Sequence, residues 1–273
     1  VLLIGLAVYA GFTGEFSQAV RFMFYPDFSK ITMSGVLIAL GHAFFTLSLA
    51  SGVMITYGAY MPSKVSIART SMWIALADTS VALIAGMVIY PIVFAQGLDA
   101  GQGPGLIFVT LPIAFGAMPG GVVVGTLFFI MLVFAAFTST IAMIESVVAW
   151  LIESKGMRRL QACLLSGAVL WLMSLLTIAS FAGSSWAQVQ FNFLGKDVNN
   201  LFEILDHLTS DIMLPLGGLT IAIFAGWIMR QQATAEELNT SPLTYTIWRF
   251  SIRWFTPIAI LLVFLNLTGI LSL

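Results

Sequence analysis

An all-α, polytopic bundle of membrane-spanning helices, with one helix broken in mid-span, is predicted by three features of this chain. Hydrophobic residues make up 59% of its 273 positions and charged residues only 8%, with a mean hydropathy of +1.01, whereas a soluble domain carries roughly a quarter charged residues. The apolar residues gather in runs long enough to cross a bilayer, which takes about 20 residues. One of these runs, from about Met33 to about Tyr60, is not uniformly apolar at its centre: in the stretch Gly41 to Gly52, Thr46, Ser48 and Ser51 stand beside small residues and Gly52 closes the segment. Unwound backbone at mid-membrane depth is tolerated only where protein or a water-lined cavity satisfies it.

Seven apolar segments can be placed in order, at about 1–12, 34–60, 69–97, 121–152, 159–183, 201–229 and 243–272, within a single transmembrane domain over 1–273. Val1–Ala10 lacks the basic start of a signal peptide, so the first segment is expected to be the end of a spanning helix. The next connection carries Tyr25-Pro26-Asp27-Phe28, turn residues mixed with aromatics that suit a membrane interface. Residues 104–118 are too apolar for an exposed loop and too short and interrupted to span, and are expected to form a re-entrant or capping hairpin. The connections alternate in charge. Lys64, Arg69, Lys155, Arg158, Arg159, Arg230, Arg249 and Arg253 fall on one side, and only Arg21, Lys30 and Lys196 on the other. The excess of basic residues assigns 61–68, 153–158 and 230–242 to the cytoplasm and 13–33, 98–120 and 184–200 to the outside.

A net charge of −1 leaves no basic footprint for nucleic acid. The single cysteine, Cys163, sits in an apolar run and reads as a small packing residue. There is no HExxH, no GxSxG and no histidine–carboxylate spacing suited to a catalytic metal, so an intramembrane enzyme is poorly supported.

Ionisable residues inside spans cost about 2.5–3.5 kcal/mol at a helix centre and need a partner or a function. Asp78 stands about one-third into its span, Glu145 lies in Ile144-Glu145-Ser146, and Asp206 and His207 stand near the outer start of another span. His42 lies one turn before Thr46 and reads equally as a core histidine or as part of a gate. Ala135, Thr138 and Ser139, spaced i, i+3, i+4, share one helix face. Two hydroxyls and a small residue there can supply oxygen ligands to a hard cation or simply pack another helix. Broken helices near the midplane are where secondary transporters bind substrate and coupling ions.

Ala39-Leu40-Gly41-His42-Ala43-Phe44-Phe45-Thr46-Leu47-Ser48-Leu49 resembles the sixth transmembrane helix of the neurotransmitter:sodium symporter family, and Phe134 through Ala142 resembles its eighth. Pro26-Asp27-Phe28, Asp78 through Pro91, Gly105 through Gly116 and Leu201 through Gly226 are similar, in the family's order, to its third outer loop, seventh helix, fourth outer loop and tenth helix. The resemblance implies the second inverted repeat of a leucine-transporter-type fold over about 34–229, preceded by the end of helix five at 1–12 and followed by an extra helix at 243–272. It implies a missing N-terminal half, helices one to five, that would complete the sites.

The resemblance also implies roles. Phe45, Thr46, Ser48, Ser51, Ser139 and Met143 would contact substrate, with Thr46 and Asp78 as ligands of a first sodium ion and Ala135, Thr138 and Ser139 of a second. Asp206 and His42 would gate, and Glu145 would be a structural acid. Ala50 stands where the family usually has Gly, and Ser51 where an aromatic often closes the pocket. Ala82 stands where chloride-dependent members carry Ser, so Asp78 itself would supply the negative charge and chloride would not be required. The function implied is sodium-coupled symport of an amino acid or related amine by alternating access, in a prokaryotic inner membrane, with homodimerisation left open. A channel or structural membrane subunit, its polar residues used only for packing, is the alternative.

Overall fold

Apolar runs become long helices, and the computed structural model, which describes residues 1–62, 64–98, 100 and 105–271, is built almost wholly from them. In chain order these are α1 (Leu2–Thr13), α2 (Phe16–Phe24), α3 (Met33–Thr46), α4 (Val53–Ala59), α5 (Ile67–Ala95), α6 (Leu106–Ala117), α7 (Gly121–Lys155) and α8 (Arg159–Phe181). The hairpin β1 (Gln188–Phe193) and β2 (Lys196–Asn200) follows, then α9 (Leu201–Ile228), α10 (Gln231–Leu238) and α11 (Pro242–Leu267). Among the described residues α5, α7, α8, α9 and α11 are long and apolar enough to cross a membrane, and α1, α3 and α6 are shorter apolar helices.

Local signals explain several ends. Thr32 Oγ1 accepts from Gly35 N at 3.0 Å to start α3. Asn200 Oδ1 accepts from Glu203 N at 3.0 Å to start α9, and the Glu203 carboxylate accepts in return from Asn199 N at 2.7 Å. Such reciprocal caps satisfy amides that a helix start leaves without partners. Three helices widen to π geometry, at Leu106–Thr110 in α6, His207–Met213 and Phe224–Ile228 in α9, and Ser251–Phe255 in α11.

The chain groups into two compact units. The first holds Val1–Lys30 and Trp73–Thr140. Its core joins Leu6 and Ala10 of α1, Val88, Ile92 and Val93 of α5, Leu111 and Phe115 of α6, and Phe128 of α7. Pro91 inside α5 cannot donate a backbone hydrogen bond; its carbonyl accepts from Glu15 N at 3.0 Å, and a Cβ on Gly14 would come within 2.6 Å of the Pro91 Cβ. Tyr9 donates to the Pro119 carbonyl at 2.8 Å. In the turn after α2, the hydroxyl and amide of Ser29 donate to Asp27 at 2.6 and 3.1 Å and hold its carboxyl below the usual carboxylate range.

The second unit holds Ile31–Met72 and Ile141–Leu273. Here α3 packs on α11, with Ser34 donating to Asn266 at 3.2 Å, and α9 packs on α11. Gly217 and Gly218 of α9 let the segment between α3 and α4 come close: a Cβ would stand 3.2 Å from the Ala50 carbonyl at the first and 3.0 Å from the Phe44 ring at the second. The antiparallel β1–β2 hairpin turns at Leu194 and Gly195, both at positive φ.

The hairpin expected over 104–118 is corrected. The described part is one helix, α6, which widens to π geometry over Leu106–Thr110 just before Pro112, a residue that cannot donate to the helical ladder, and continues to Ala117; residue 104 lies outside the described residues. The connections at 13–33 and 184–200 hold α2 and the β hairpin, which composition alone did not reveal.

Candidate functional site

The break expected near Ser48–Gly52 is present. Helical structure stops at Thr46 and resumes at Val53. Between them Ser48, Ala50 and Gly52 have φ of 51°, 69° and 83°. Ser48 N and Leu49 N still reach back to the carbonyls of Phe45 and Phe44, at 3.0 and 3.1 Å, and the Ser51 hydroxyl donates to the Ser48 carbonyl at 2.8 Å. Left-handed backbone suits Gly52 but costs an L side chain roughly 1–2 kcal/mol. Ala50 therefore stores strain at the position where the resemblance expects Gly. Ala50→Gly is expected to raise the midpoint of thermal unfolding by relieving roughly 1 kcal/mol; a lowered midpoint would contradict the strain.

His42, Phe45 and Asp206 are brought together. With Ile38, Gly41, Ser210, Asp211 and Leu267 they line a cleft of about 260 Å³ beside the break. His42, Phe45 and Asp206 are exposed, and the Asp206 carboxylate accepts from the Ser210 hydroxyl at 3.2 Å. Asp211 was missed by sequence reasoning. Its carboxylate lies 2.7 Å from Nδ1 of the fully buried His207 and 3.1 Å from Lys196 Nζ, tying β2 to α9. The signal available was the i, i+4 spacing of His207 and Asp211.

Glu145 is tightly held. Arg159 Nη1 and Nη2 donate to its two oxygens at 3.1 and 2.8 Å, and the Tyr60 hydroxyl donates at 3.1 Å. This bidentate pair joins the end of α4, the last third of α7 and the start of α8. Glu145→Gln keeps the volume but removes the charge opposite Arg159. It is expected to lower the unfolding midpoint only modestly, because the Arg159 partner is largely exposed and its charge is screened by water; an unchanged midpoint would make the pair dispensable.

In the first unit, Asp78 is half-buried in α5, and among the described residues no hydrogen bond or ion pair reaches its carboxylate, while Thr79 and Ser80 turn back on the carbonyls of Ala75 and Leu76. Ala135, Thr138 and Ser139 lie on an exposed face of α7, Thr138 donating to the carbonyls of Phe134 at 3.1 Å and Ala135 at 2.9 Å. Met143, also exposed, follows one turn later on the same helix. The donors offered are carboxylate, hydroxyl and carbonyl oxygens, the ligand set of a hard cation. Among the described residues no group of three His, Cys, Asp or Glu side chains is placed to hold a metal ion.

Spanning helices, a helix unwound at left-handed residues and a carboxylate within a span define a membrane protein of the leucine-transporter type. The chain belongs to the sodium:neurotransmitter symporter family, whose model matches residues 1–271. It is 35% identical over 260 residues to a sodium-dependent transporter of Bacillus subtilis, YhdH, covering 93% of this chain and 56% of that protein. It is 30% identical over 268 residues to a sodium-dependent transporter of Haemophilus influenzae, covering 97% and 57%. Its structure superposes on that of MhsT in complex with L-phenylalanine with a TM-score of 0.85 and 38% identity, over 98% of this chain and 60% of that one. The chain thus spans little more than half the length of the relatives it matches.

Proposed function

We propose that this chain is the C-terminal part of a sodium-coupled symporter of an amino acid or related amine. The observation that carries this reading is the break between α3 and α4. A helix interrupted at left-handed Ser48 and Ala50, despite the strain, leaves backbone amides and carbonyls available to a ligand. The likeness to MhsT, solved with L-phenylalanine, supports an amino-acid-like substrate.

In this reading Phe45, Thr46, Ser48, Ser51, Ser139 and Met143 contact substrate. Thr46 and Asp78 give oxygens to a first sodium ion, and Ala135, Thr138 and Ser139 to a second. Asp206 and His42 serve the outer gate. A first five-helix repeat completes these sites, and the second repeat runs over about 34–229. Asp78 supplies negative charge and Ala82 offers no hydroxyl, so chloride is not required. The protein is a multi-pass component of a prokaryotic inner membrane, moves its substrate unchanged and catalyses no covalent step. Sodium stabilises a substrate-ready state, and rocking of one bundle against the other alternates access.

The test is binding of radiolabelled amino acids and amines to the purified protein completed by its first repeat, across a sodium titration in chloride and in gluconate. Saturable binding that needs sodium and ignores the anion is expected. Binding that is indifferent to sodium would return the polar residues to a packing role in a channel or structural subunit.

A further inference from the structure

The arginines at the cytoplasmic end of α9 and α11 form a constellation that substrate and sodium do not use. Arg249 and Arg253 lie four residues apart on α11 and both are half-buried. Arg249 Nη1 donates to the Tyr245 hydroxyl at 3.0 Å and to the Thr234 hydroxyl at 3.3 Å. Arg253 Nε donates to the Gly226 carbonyl at 2.7 Å, and its guanidinium carbon stands 5.0 Å from the centroid of the Trp227 ring. All of these partners are neutral. Among the described residues no carboxylate lies within ion-pair distance of either guanidinium, although α10 carries Glu236 and Glu237.

Like charges one turn apart on a helix repel, and a charged side chain in a spanning segment is stabilised by a backbone carbonyl, as Arg253 is by that of Gly226, or by a counter-charge. This pair lacks one. Its hydrogen-bonding capacity is also unspent: among the described residues Nη2 of Arg249 and both Nη groups of Arg253 have no partner. Two planar donor forks on one helix face suit the several oxygens of a phosphate.

The surroundings select the source of that phosphate. Trp227 and Trp254 stack edge to face with centroids 5.1 Å apart and are 48% and 51% exposed. Indoles so placed sit at headgroup level. The charge asymmetry puts this end of α9 and α11 in the cytoplasmic leaflet, where basic pockets between helices hold acidic headgroups. A zwitterionic lipid has the same phosphate but brings its own cation, which competes for it.

We propose that Arg249 and Arg253 bind the phosphate of an acidic phospholipid of the inner leaflet, with the Trp227–Trp254 pair against its glycerol and upper acyl chains. The site stands independently of symport, since it needs neither sodium nor substrate.

The experiment is native mass spectrometry of the protein released from nanodiscs of mixed phosphatidylglycerol and phosphatidylcholine, comparing retention of the two lipids. The parent is expected to prefer phosphatidylglycerol by roughly tenfold, the factor that 1.4 kcal/mol represents. Arg249→Gln should lose most of that preference, whereas Lys64→Gln, which removes one charge from the same face elsewhere, should keep it. Equal losses in the two variants would mean a general surface field and would overturn the site. Displacement of the retained lipid by excess inorganic phosphate would make the ligand a soluble anion and would overturn the lipid assignment. Should Arg249→Gln fail to fold, Arg249→Lys keeps the charge but loses the planar fork. It should then lower the preference while Lys64→Arg leaves it unchanged, and an undiminished preference in Arg249→Lys would refute the proposal.

Discussion

Asp78→Ala is expected to abolish sodium-dependent substrate binding while leaving expression near the parental level. A carboxylate within a spanning helix costs about 2.5–3.5 kcal/mol at the centre, and Asp78 is half-buried in α5 with no hydrogen bond or ion pair among the described residues to offset it. A residue kept for packing would be hydrogen-bonded or would not be an acid. Removing it relieves the cost, so the fold should not suffer; what is lost is a negative oxygen ligand for sodium. Asp78→Asn, which keeps one carbonyl oxygen and nearly the same volume, should retain part of the binding at a weaker sodium affinity. Binding by Asp78→Ala with an unchanged sodium midpoint would remove Asp78 from the ion site.

The second large effect is expected of Thr138→Val combined with Ser139→Ala. The Thr138 hydroxyl donates to the carbonyls of Phe134 and Ala135, so its lone pairs remain able to face a cation. The double variant preserves much of the volume and both helical positions, and packing alone should tolerate it with a modest loss. If the hydroxyls are sodium ligands, the sodium midpoint for substrate binding should rise tenfold or more, each factor of ten being about 1.4 kcal/mol. A parental midpoint would make this face of α7 a packing seam.

Much of the fold was legible because the bilayer restricts the choices. An apolar run of about 20 residues has few ways to satisfy its backbone other than a helix, and α5, α7, α8, α9 and α11 fall close to the segments read from hydropathy. The break was legible because Thr46, Ser48, Ser51 and Gly52 cluster where a span should be apolar, and the backbone turns left-handed there. Outside the apolar runs the bilayer no longer decides. The hairpin at Gln188–Asn200 rests on its own ladder and on Gln188 and Phe202 bonding to Ser180, contacts that hydropathy does not encode. The polar residues were legible as costly positions but not as pairs. Glu145 finds Arg159, fourteen residues away, across the turn between α7 and α8, and Asp211, passed over in favour of Asp206, carries the links to His207 and Lys196.

Sodium coupling itself is tested most directly by uptake into proteoliposomes of the protein completed by its first repeat. An amino acid identified by the binding screen is offered with an inward sodium gradient, and in parallel with sodium replaced by potassium on both sides. Symport predicts transient accumulation above the external concentration only with the gradient, collapsing when a sodium ionophore is added. Uptake that merely equilibrates, at the same rate in sodium and in potassium, would contradict it.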